Sequence, residues 1–363
     1  MSHSFNSDLF LGEADLETAK RAFPRVFYAL DNPTLRAAFA IHDVRANSAK
    51  TKSRTWGVTA VALATLALIL AASSDLYAGY GQAVIRVVAM IGAVAGVGSV
   101  AIAVLGVMYR TKKIRWLTDR LATERLRQFH FQQYVARAKE ILEGSQNPAA
   151  ADAYRRQRDA DFEKLNVDLL SRLDAEFNLV VETDDPGDGL YFPEASPKPS
   201  GDASLLNEYF SAYETLRLRR QIDYCNLLLS DNRSIWKNAP ARQAKLFAGV
   251  AMALILLILT MDATMFIGAV AGAGWITMPV LQAAGITLAF IALAVRTLEE
   301  GFQVEAETAR MRHYRHTLLR IFSRFKEAPA PEAKLAAMAD LEKTAYEEMV
   351  TFLKSHHDAE FVM

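Results

Sequence analysis

Two blocks of apolar sequence constrain the fold of this chain more than any other feature. The first block contains uncharged runs at 56–72 and 87–108, and the second contains uncharged runs at 246–261 and 278–295. Each run is close to the roughly 20 residues that an α-helix needs to cross about 30 Å of hydrocarbon. The sequence therefore predicts four transmembrane helices.

The flanks of these runs separate membrane helices from the alternative, which is buried core helices of a soluble protein. The short connections within the blocks carry only Asp75, Arg86 and Asp262 as charged residues, whereas the other ends are basic. The cations at those ends are Arg45, Lys50, Lys52, Arg54, Arg110, Lys112, Lys113, Arg115, Arg242, Lys245 and Arg296. This asymmetry follows the positive-inside rule for membrane proteins.

The predicted topology is two transmembrane hairpins, at 51–110 and 246–296, in an inner membrane. Both termini and the segment between the hairpins are expected in the cytoplasm, with the two short tips on the outer side. The first ten residues lack the basic and apolar regions of a cleavable signal peptide, so we expect the first apolar helix to be retained.

The remaining sequence predicts long cytoplasmic helices, so the fold class is all-α and integral to the membrane. The predicted segments are N-terminal helices at 1–50, helices at 111–182, an acidic Pro/Gly linker at 183–203, a helix at 204–245, and a C-terminal helix and tail at 297–363. Asn32-Pro33 and Asn147-Pro148 mark helix boundaries. The second helix of each hairpin is expected to continue without a break into the cytoplasm, over 107–143 and 280–327.

Small residues suggest where the apolar helices approach each other closely. Gly92 and Gly96 form a GxxxG pattern in the first block, and Gly268 and Gly272 repeat it in the second. Such faces let helix backbones pack closely in lipid. The general richness of membrane helices in glycine and alanine is an equally good explanation of the pattern.

Short matches in the same order indicate an internal repeat. "TLRAAFAI" at 34–41 aligns with "TLRLRRQI" at 215–222, and "TERLRQF" at 123–129 aligns with "TARMRHY" at 308–314. Each pair brackets an apolar block. The chain is therefore predicted to be a tandem duplication of a helix, a membrane hairpin and a long helix.

A strip of alternating charges and aromatics follows each apolar block. Taken alone, such basic residues suggest phosphate binding, but the chain has 41 basic and 41 acidic residues and no net charge. The recurrence of the strip favours a structural role, so we expect inter-helix ion pairs and no nucleic-acid binding. The residues concerned are Glu124, Arg125, Arg127, Glu307, Arg310 and Arg312.

No residue pattern indicates catalysis, a cofactor or a metal site, and we expect no enzyme activity. "DDPGDG" in the linker resembles a calcium loop but places Pro186 and Ala195 where ligands are needed. Cys225 is the single cysteine, so no intramolecular disulfide or cysteine cluster forms. The centres of the apolar runs carry no charge, which argues against an ion-coupled transporter.

The arrangement of a charged helix, a two-helix membrane hairpin and a long helix with a T-E-R-L-R-x-F strip resembles the bacterial SLATT group. The similarity covers 33–143 and 210–326, with Glu124, Arg125 and Arg127 in one half and Glu307, Arg310 and Arg312 in the other. It implies a two-helix membrane effector module that permeabilises the membrane when a nucleotide-linked partner triggers it. This chain differs in having two hairpins and no recognisable sensor domain.

Two functions are therefore expected from the sequence. The first is an oligomeric, pore-forming or membrane-perturbing effector that is triggered through its cytoplasmic helices. The second is a non-enzymatic membrane scaffold that recruits a cytoplasmic protein. In both cases the expected partners are the lipid bilayer, further copies of the chain and a cytoplasmic protein.

Replacing Arg125 and Arg310 together with glutamate tests the structural role of the strips. We expect the double substitution to disturb assembly and to leave nucleic-acid affinity unchanged, because like charges would replace opposite ones between helices. Light scattering of the detergent-solubilised protein measures the oligomer. An unchanged oligomer would refute the role.

Overall fold

A computed structural model of the chain describes residues 7–77, 79–107, 110–183, 199, 201–230, 240–272 and 279–358. All regular structure in these residues is helical, which confirms the predicted all-α fold class. Four of the helices are long and apolar enough to cross a membrane. Most of the acidic linker, residues 273–277 of the second predicted tip and the extreme C-terminus lie outside the described residues.

The chain divides into two compact units. Unit 1 contains 1–48, 114–228 and 309–358, and unit 2 contains 49–113, 229–308 and 359–363. The helices are, in chain order, α1 Glu13–Ala22, α2 Phe27–Leu30, α3 Pro33–Ala72, α4 Ser74–Tyr77, α5 Gln82–Ile102, α6 Arg110–Ala136, α7 Ala138–Gly144, α8 Pro148–Ser171, α9 Leu173–Glu182, α10 Ala203–Tyr213, α11 Arg219–Leu229, α12 Pro240–Val270, α13 Pro279–Phe302, α14 Val304–Glu327 and α15 Pro331–Asp358.

Local sequence explains where several helices begin. The Asn32 side-chain oxygen accepts a hydrogen bond from the Leu35 amide at 3.1 Å, and α3 starts at the proline that follows Asn32. Asn147 likewise accepts from the Ala149 amide at 3.0 Å at the start of α8. An asparagine followed by proline supplies both a cap and a preset first turn. Both predicted boundaries are confirmed.

Unit 1 is a bundle of helices around α6. From Leu121 to Val135 nearly every residue of α6 is buried, polar residues included. Helix α15 buries one side against the bundle, with Met338, Leu341 and Leu353 fully enclosed. A helix that is buried all round lies at the centre of its domain. The charged strip in α6 is therefore surrounded by the other helices of unit 1.

Unit 2 contains the four apolar helices, and these remain largely uncovered by the chain. In the most apolar 18-residue windows of α3, α5, α12 and α13, only 0 to 11% of the residues are buried. Val97 and Val270, for example, are 72% and 74% exposed. Soluble proteins rarely expose contiguous apolar surface on this scale, so these helices require an apolar environment outside the chain.

The expected continuous helices are interrupted. The chain leaves α5 through a π-helical turn, Ala103–Val107, and α6 ends at Ala136. In the second half Gln303 has φ +50° and separates α13 from α14, so the prediction of an unbroken helix over 280–327 is wrong. Gln303 has no local signal that would end a helix. The conformation is held by the surrounding structure, where Val304 is fully buried.

Gln303→Gly should stabilise the protein, because glycine adopts positive φ without the cost of roughly 1–2 kcal/mol that other residues pay. We expect the midpoint of thermal unfolding in detergent to rise by about 2–4 °C. Gln303→Ala is the matched control and should give no rise, since alanine keeps the steric penalty. A lower unfolding midpoint for Gln303→Gly than for the wild type would contradict backbone strain at Gln303.

Candidate functional site

The first strip of charges lies in the centre of unit 1. Arg125 is buried, and its Nε donates to the Glu176 carboxylate on α9 at 2.7 Å. Its guanidinium also lies 5.4 Å from the ring centre of Tyr346 on α15. Arg125 therefore connects three helices that are distant in sequence. A buried arginine with a carboxylate and an aromatic ring is a packing element.

Arg127 and Glu124 form a second set of contacts on α6. Arg127 Nη1 donates to both Glu124 carboxylate oxygens at 3.0 and 3.1 Å, and Arg127 Nε lies 3.0 Å from the Asp8 carboxylate. Arg120 also approaches Glu124 at 2.6 Å. These contacts hold the short N-terminal helix Ser7–Leu9 against α6.

The charges and the burial in this cluster shift the pKa values of its two carboxylates, Glu124 and Asp8, in opposite directions. Burial would raise the pKa of Glu124, but Arg120 and Arg127 lower it to about 2. Burial raises the pKa of Asp8, and the nearby Arg127 only partly opposes this effect. Burial, with Arg158 and Arg217 close by, lowers the pKa of His130 to about 3, so this imidazole is neutral near pH 7.

The second strip is only partly buried. Arg310 donates to Glu348 on α15, and its guanidinium lies 4.8 Å from the ring centre of Phe352. Arg312 is exposed, and Glu307 lies half-exposed in the first turn of α14, where a carboxylate favours the helix dipole. The structure thus places Arg125 and Arg310 in similar surroundings, since each contacts a glutamate and also an aromatic ring of α15. Arg312→Glu is accordingly a surface control for the Arg125/Arg310 double substitution.

The most deeply buried ion pair joins Arg217 and Glu342. Arg217 donates two parallel hydrogen bonds to the Glu342 carboxylate, at 2.9 and 2.8 Å, and both side chains are at most 2% exposed. The Tyr213 hydroxyl donates to Glu342 at 2.6 Å, and the Arg217 guanidinium lies 4.7 Å from the ring centre of Phe131. Burial would lower the pKa of Arg217, but Glu342 raises it well above its usual value.

A tyrosine pair adjoins this cluster. The rings of Tyr134 on α6 and Tyr209 on α10 are stacked, with centres 4.6 Å apart and planes 7° apart. Each hydroxyl donates to the backbone carbonyl of the other residue, at 3.0 and 2.7 Å. Burial raises the pKa of both phenols far above the usual value, so neither titrates near neutral pH. The pair joins α6 to α10 by packing and has no free hydroxyl for chemistry.

The sequence patterns did not indicate a buried pair of Arg217 and Glu342 or a stacked pair of Tyr134 and Tyr209. A single weak signal existed for α15, where Leu335, Met338, Leu341 and Ala345 recur at helical spacing with Glu342 beside them. A glutamate next to an apolar stripe is usually solvated, and only the tertiary structure shows that Arg217 lies opposite it.

The predicted glycine positions differ among themselves. A Cβ at Gly92 would lie 3.6 Å from Leu70, and one at Gly96 would lie 3.6 Å from Ala67, so both glycines face α3. Ser99, one turn further, donates to the Ala60 carbonyl at 2.8 Å. These contacts place α5 antiparallel to α3, and an alanine at either glycine would make ordinary contacts.

The two glycines of the second half have other surroundings. Gly268 is buried within α12. Gly272 lies beyond the end of α12 with φ +69°, and a Cβ there would meet none of the described residues within 4 Å. Its place is a helix-terminating turn that favours glycine, and the packing role of Gly272 stays a prediction.

The apolar helices offer few polar groups. The hydroxyls of Thr59, Thr65 and Thr260 each donate to the carbonyl four residues earlier in the same helix, at 2.7 to 2.8 Å. These bonds satisfy the hydroxyls within the helix. In the described part of the chain, no group of three or more His, Cys, Asp or Glu side chains could hold a metal ion. Cys225 is buried, and burial raises its pKa to about 12.

Comparisons of the chain with family models, with curated proteins and with solved structures gave no match. The geometry defines an all-helical protein with a charge-paired bundle and four apolar helices of membrane-spanning length.

Glu342→Gln tests the importance of the buried ion pair. The substitution keeps the shape but leaves Arg217 without its counter-ion, so we expect the free energy of unfolding to fall by about 3–5 kcal/mol. Chemical denaturation in detergent measures this loss. The control is Asp340→Asn, whose partner Arg324 is 59% exposed, and it should cost no more than about 1 kcal/mol.

The double substitution Arg217→Met with Glu342→Leu should recover most of the loss, because an apolar pair of similar volume removes the uncompensated charge. Equal effects of Glu342→Gln and Asp340→Asn would contradict a central role for this pair.

Proposed function

We propose that the chain is a multi-pass protein of the inner membrane. In this proposal α3 with α5 and α12 with α13 form two transmembrane hairpins, and both termini and unit 1 are cytoplasmic. Two observations support it. The apolar windows are at most 11% buried by the chain, and all the cations next to the apolar runs except Arg86 lie at the ends away from the short connections.

We further propose that the protein is a membrane-perturbing effector that acts as a homo-oligomer and is controlled through unit 1. The observation that carries this proposal is the irregular backbone after the second apolar helix of each half. The π-turn Ala103–Val107 follows α5, and Gln303 with its positive φ follows α13. Such irregularities within helical sequence often mark functional hinges.

Helix α3 provides a further connection between unit 1 and the apolar region. It contributes Pro33–Ser48 to unit 1 and Ala49–Ala72 to unit 2 without a break. A trigger that rearranges unit 1 would thus act on a helix that continues into the proposed membrane segment.

The threonine hydroxyls of the apolar helices argue for perturbation after a trigger and against a permanently open pore. Thr59, Thr65 and Thr260 are satisfied by their own helices. These three hydroxyls therefore provide no polar face that would line water, and a conducting path would need several copies and a rearrangement. The resemblance to SLATT modules points to the same class of protein, and the predicted tandem repeat would give each chain two such modules.

A membrane scaffold is the second candidate. Ile41 and Val44 lie on the part of α3 that belongs to unit 1, yet they are 54% and 68% exposed. Adjacent exposed apolar residues of this kind are typical of protein-binding surfaces. A cytoplasmic protein that covers them would favour the scaffold.

Leakage of a dye from liposomes tests the effector. Wild-type protein in phosphatidylglycerol/phosphatidylethanolamine vesicles should retain carboxyfluorescein, and Glu342→Gln should release it, because loosening unit 1 would mimic the trigger. Asp340→Asn is the matched control and should remain tight.

Vesicles that remain tight with all three proteins would contradict the effector. If a soluble protein also co-purified in fixed ratio from cells and bound less well to Ile41→Ser, the scaffold would be favoured.

A further inference from the structure

Arg54 stands apart from the buried arginines of unit 1. It lies on α3 within unit 2, two residues before the uncharged run begins. Its guanidinium is 4.6 Å from the ring centre of Phe302, and its Nη2 is 3.4 Å from the side-chain oxygen of Gln243. The Phe302 ring in turn stacks with Phe247 on α12, with centres 6.0 Å apart. Arg54 thus joins α3 to α12 and α13.

The contacts of Arg54 do not neutralise its charge. Phe302 and Gln243 are neutral, and no carboxylate lies within 4.0 Å of the Arg54 nitrogens in the described part of the chain. No acidic residue occurs anywhere in 44–74, so α3 itself offers none nearby. In unit 1, by contrast, Arg125 and Arg217 each hold a carboxylate at 2.7 to 2.9 Å.

A half-buried guanidinium without a carboxylate retains donors for an external anion. The cation–π contact with Phe302 uses the face of the guanidinium, whereas its N–H groups point outward in the plane. A planar fork of this kind matches two oxygens of a phosphate. Burial on one side lowers the local dielectric constant and strengthens the attraction.

We propose that Arg54 binds the phosphate of an anionic phospholipid in the cytoplasmic leaflet. The proposal rests on the membrane topology proposed above, and it assigns a ligand to the end of the membrane segment. Lipid is favoured over free phosphate because Trp56, 42% exposed, lies only two residues further along α3. Tryptophan next to a cation at the end of an apolar run is typical of the depth at which phospholipid headgroups lie.

Neighbouring cations add to the local field. Lys52 and Lys245 are both exposed and belong to the same unit as Arg54. Each attracts anionic headgroups without a fixed geometry. At Arg54 an aromatic ring and an amide hold the guanidinium in place, so that its N–H groups have a fixed orientation toward an anion.

The test uses the full-length protein in an uncharged detergent. Dihexanoyl phosphatidylglycerol, dihexanoyl phosphatidylcholine or inorganic phosphate is added, and the thermal unfolding midpoint is followed as each concentration increases. We expect a saturable rise with phosphatidylglycerol and a much smaller rise with the other two. For Arg54→Gln the apparent affinity for phosphatidylglycerol should fall about tenfold or more, because charge-assisted hydrogen bonds are lost.

Two further variants distinguish a specific binding site at Arg54 from a general attraction by positive charge. Lys52→Gln removes one cation two residues away and should change the apparent affinity less than about twofold. Arg54→Lys keeps the charge but loses the planar fork, and it should give an intermediate affinity. Equal losses for Lys52→Gln and Arg54→Gln would overturn the proposal, as would equal rises with phosphatidylglycerol and inorganic phosphate or no saturable rise in the wild type.

Carbonate extraction of cell membranes distinguishes this proposal from the proposed function. A chain that carbonate releases would contradict the membrane topology itself. A chain that stays in the membrane but shows no preference for phosphatidylglycerol would contradict only the Arg54 site.

Discussion

The uncovered apolar surface of four helices is the constraint on which the rest of this protein depends. The chain buries at most 11% of the most apolar window in each of these helices, and each Å² of hydrocarbon left in water costs roughly 25 cal/mol. Over four helices this cost exceeds the net stability of any ordinary domain. The surface therefore requires lipid or further copies of the chain, and the proposed location and assembly both follow from that requirement.

Unit 1 has the opposite character to unit 2. It buries charged side chains, whereas unit 2 exposes apolar ones. Its central helix carries Arg125 and Arg127 at positions that are almost closed to solvent. Each of them is compensated by a carboxylate from another part of the chain, Glu176 for the first and Asp8 for the second. Such pairs contribute little net stability, but losing one partner is costly. The bundle is therefore sensitive to any ligand or protein that competes for one of these partners.

The two units differ in whether the charge of an arginine is paired with a carboxylate of the chain, and this difference bears on function. Arg217 has its counter-ion within the chain, at Glu342, whereas the partners of Arg54 among the described residues are neutral. The first arrangement favours a self-contained fold. The second leaves a charge to be matched by the surroundings, as the proposed lipid contact would do.

The sequence by itself determined the all-α class, the four apolar helices and the helix starts at Pro33 and Pro148, because hydrophobic runs and Asn-Pro caps act locally. It also singled out Arg125 and Arg310 but could not name Glu176 or Glu348. Only the tertiary structure decided these partners, the Arg217–Glu342 pair and the break at Gln303. The reason is physical: burial and pairing depend on residues 38 to 125 positions apart in sequence, and no local pattern encodes which helices meet.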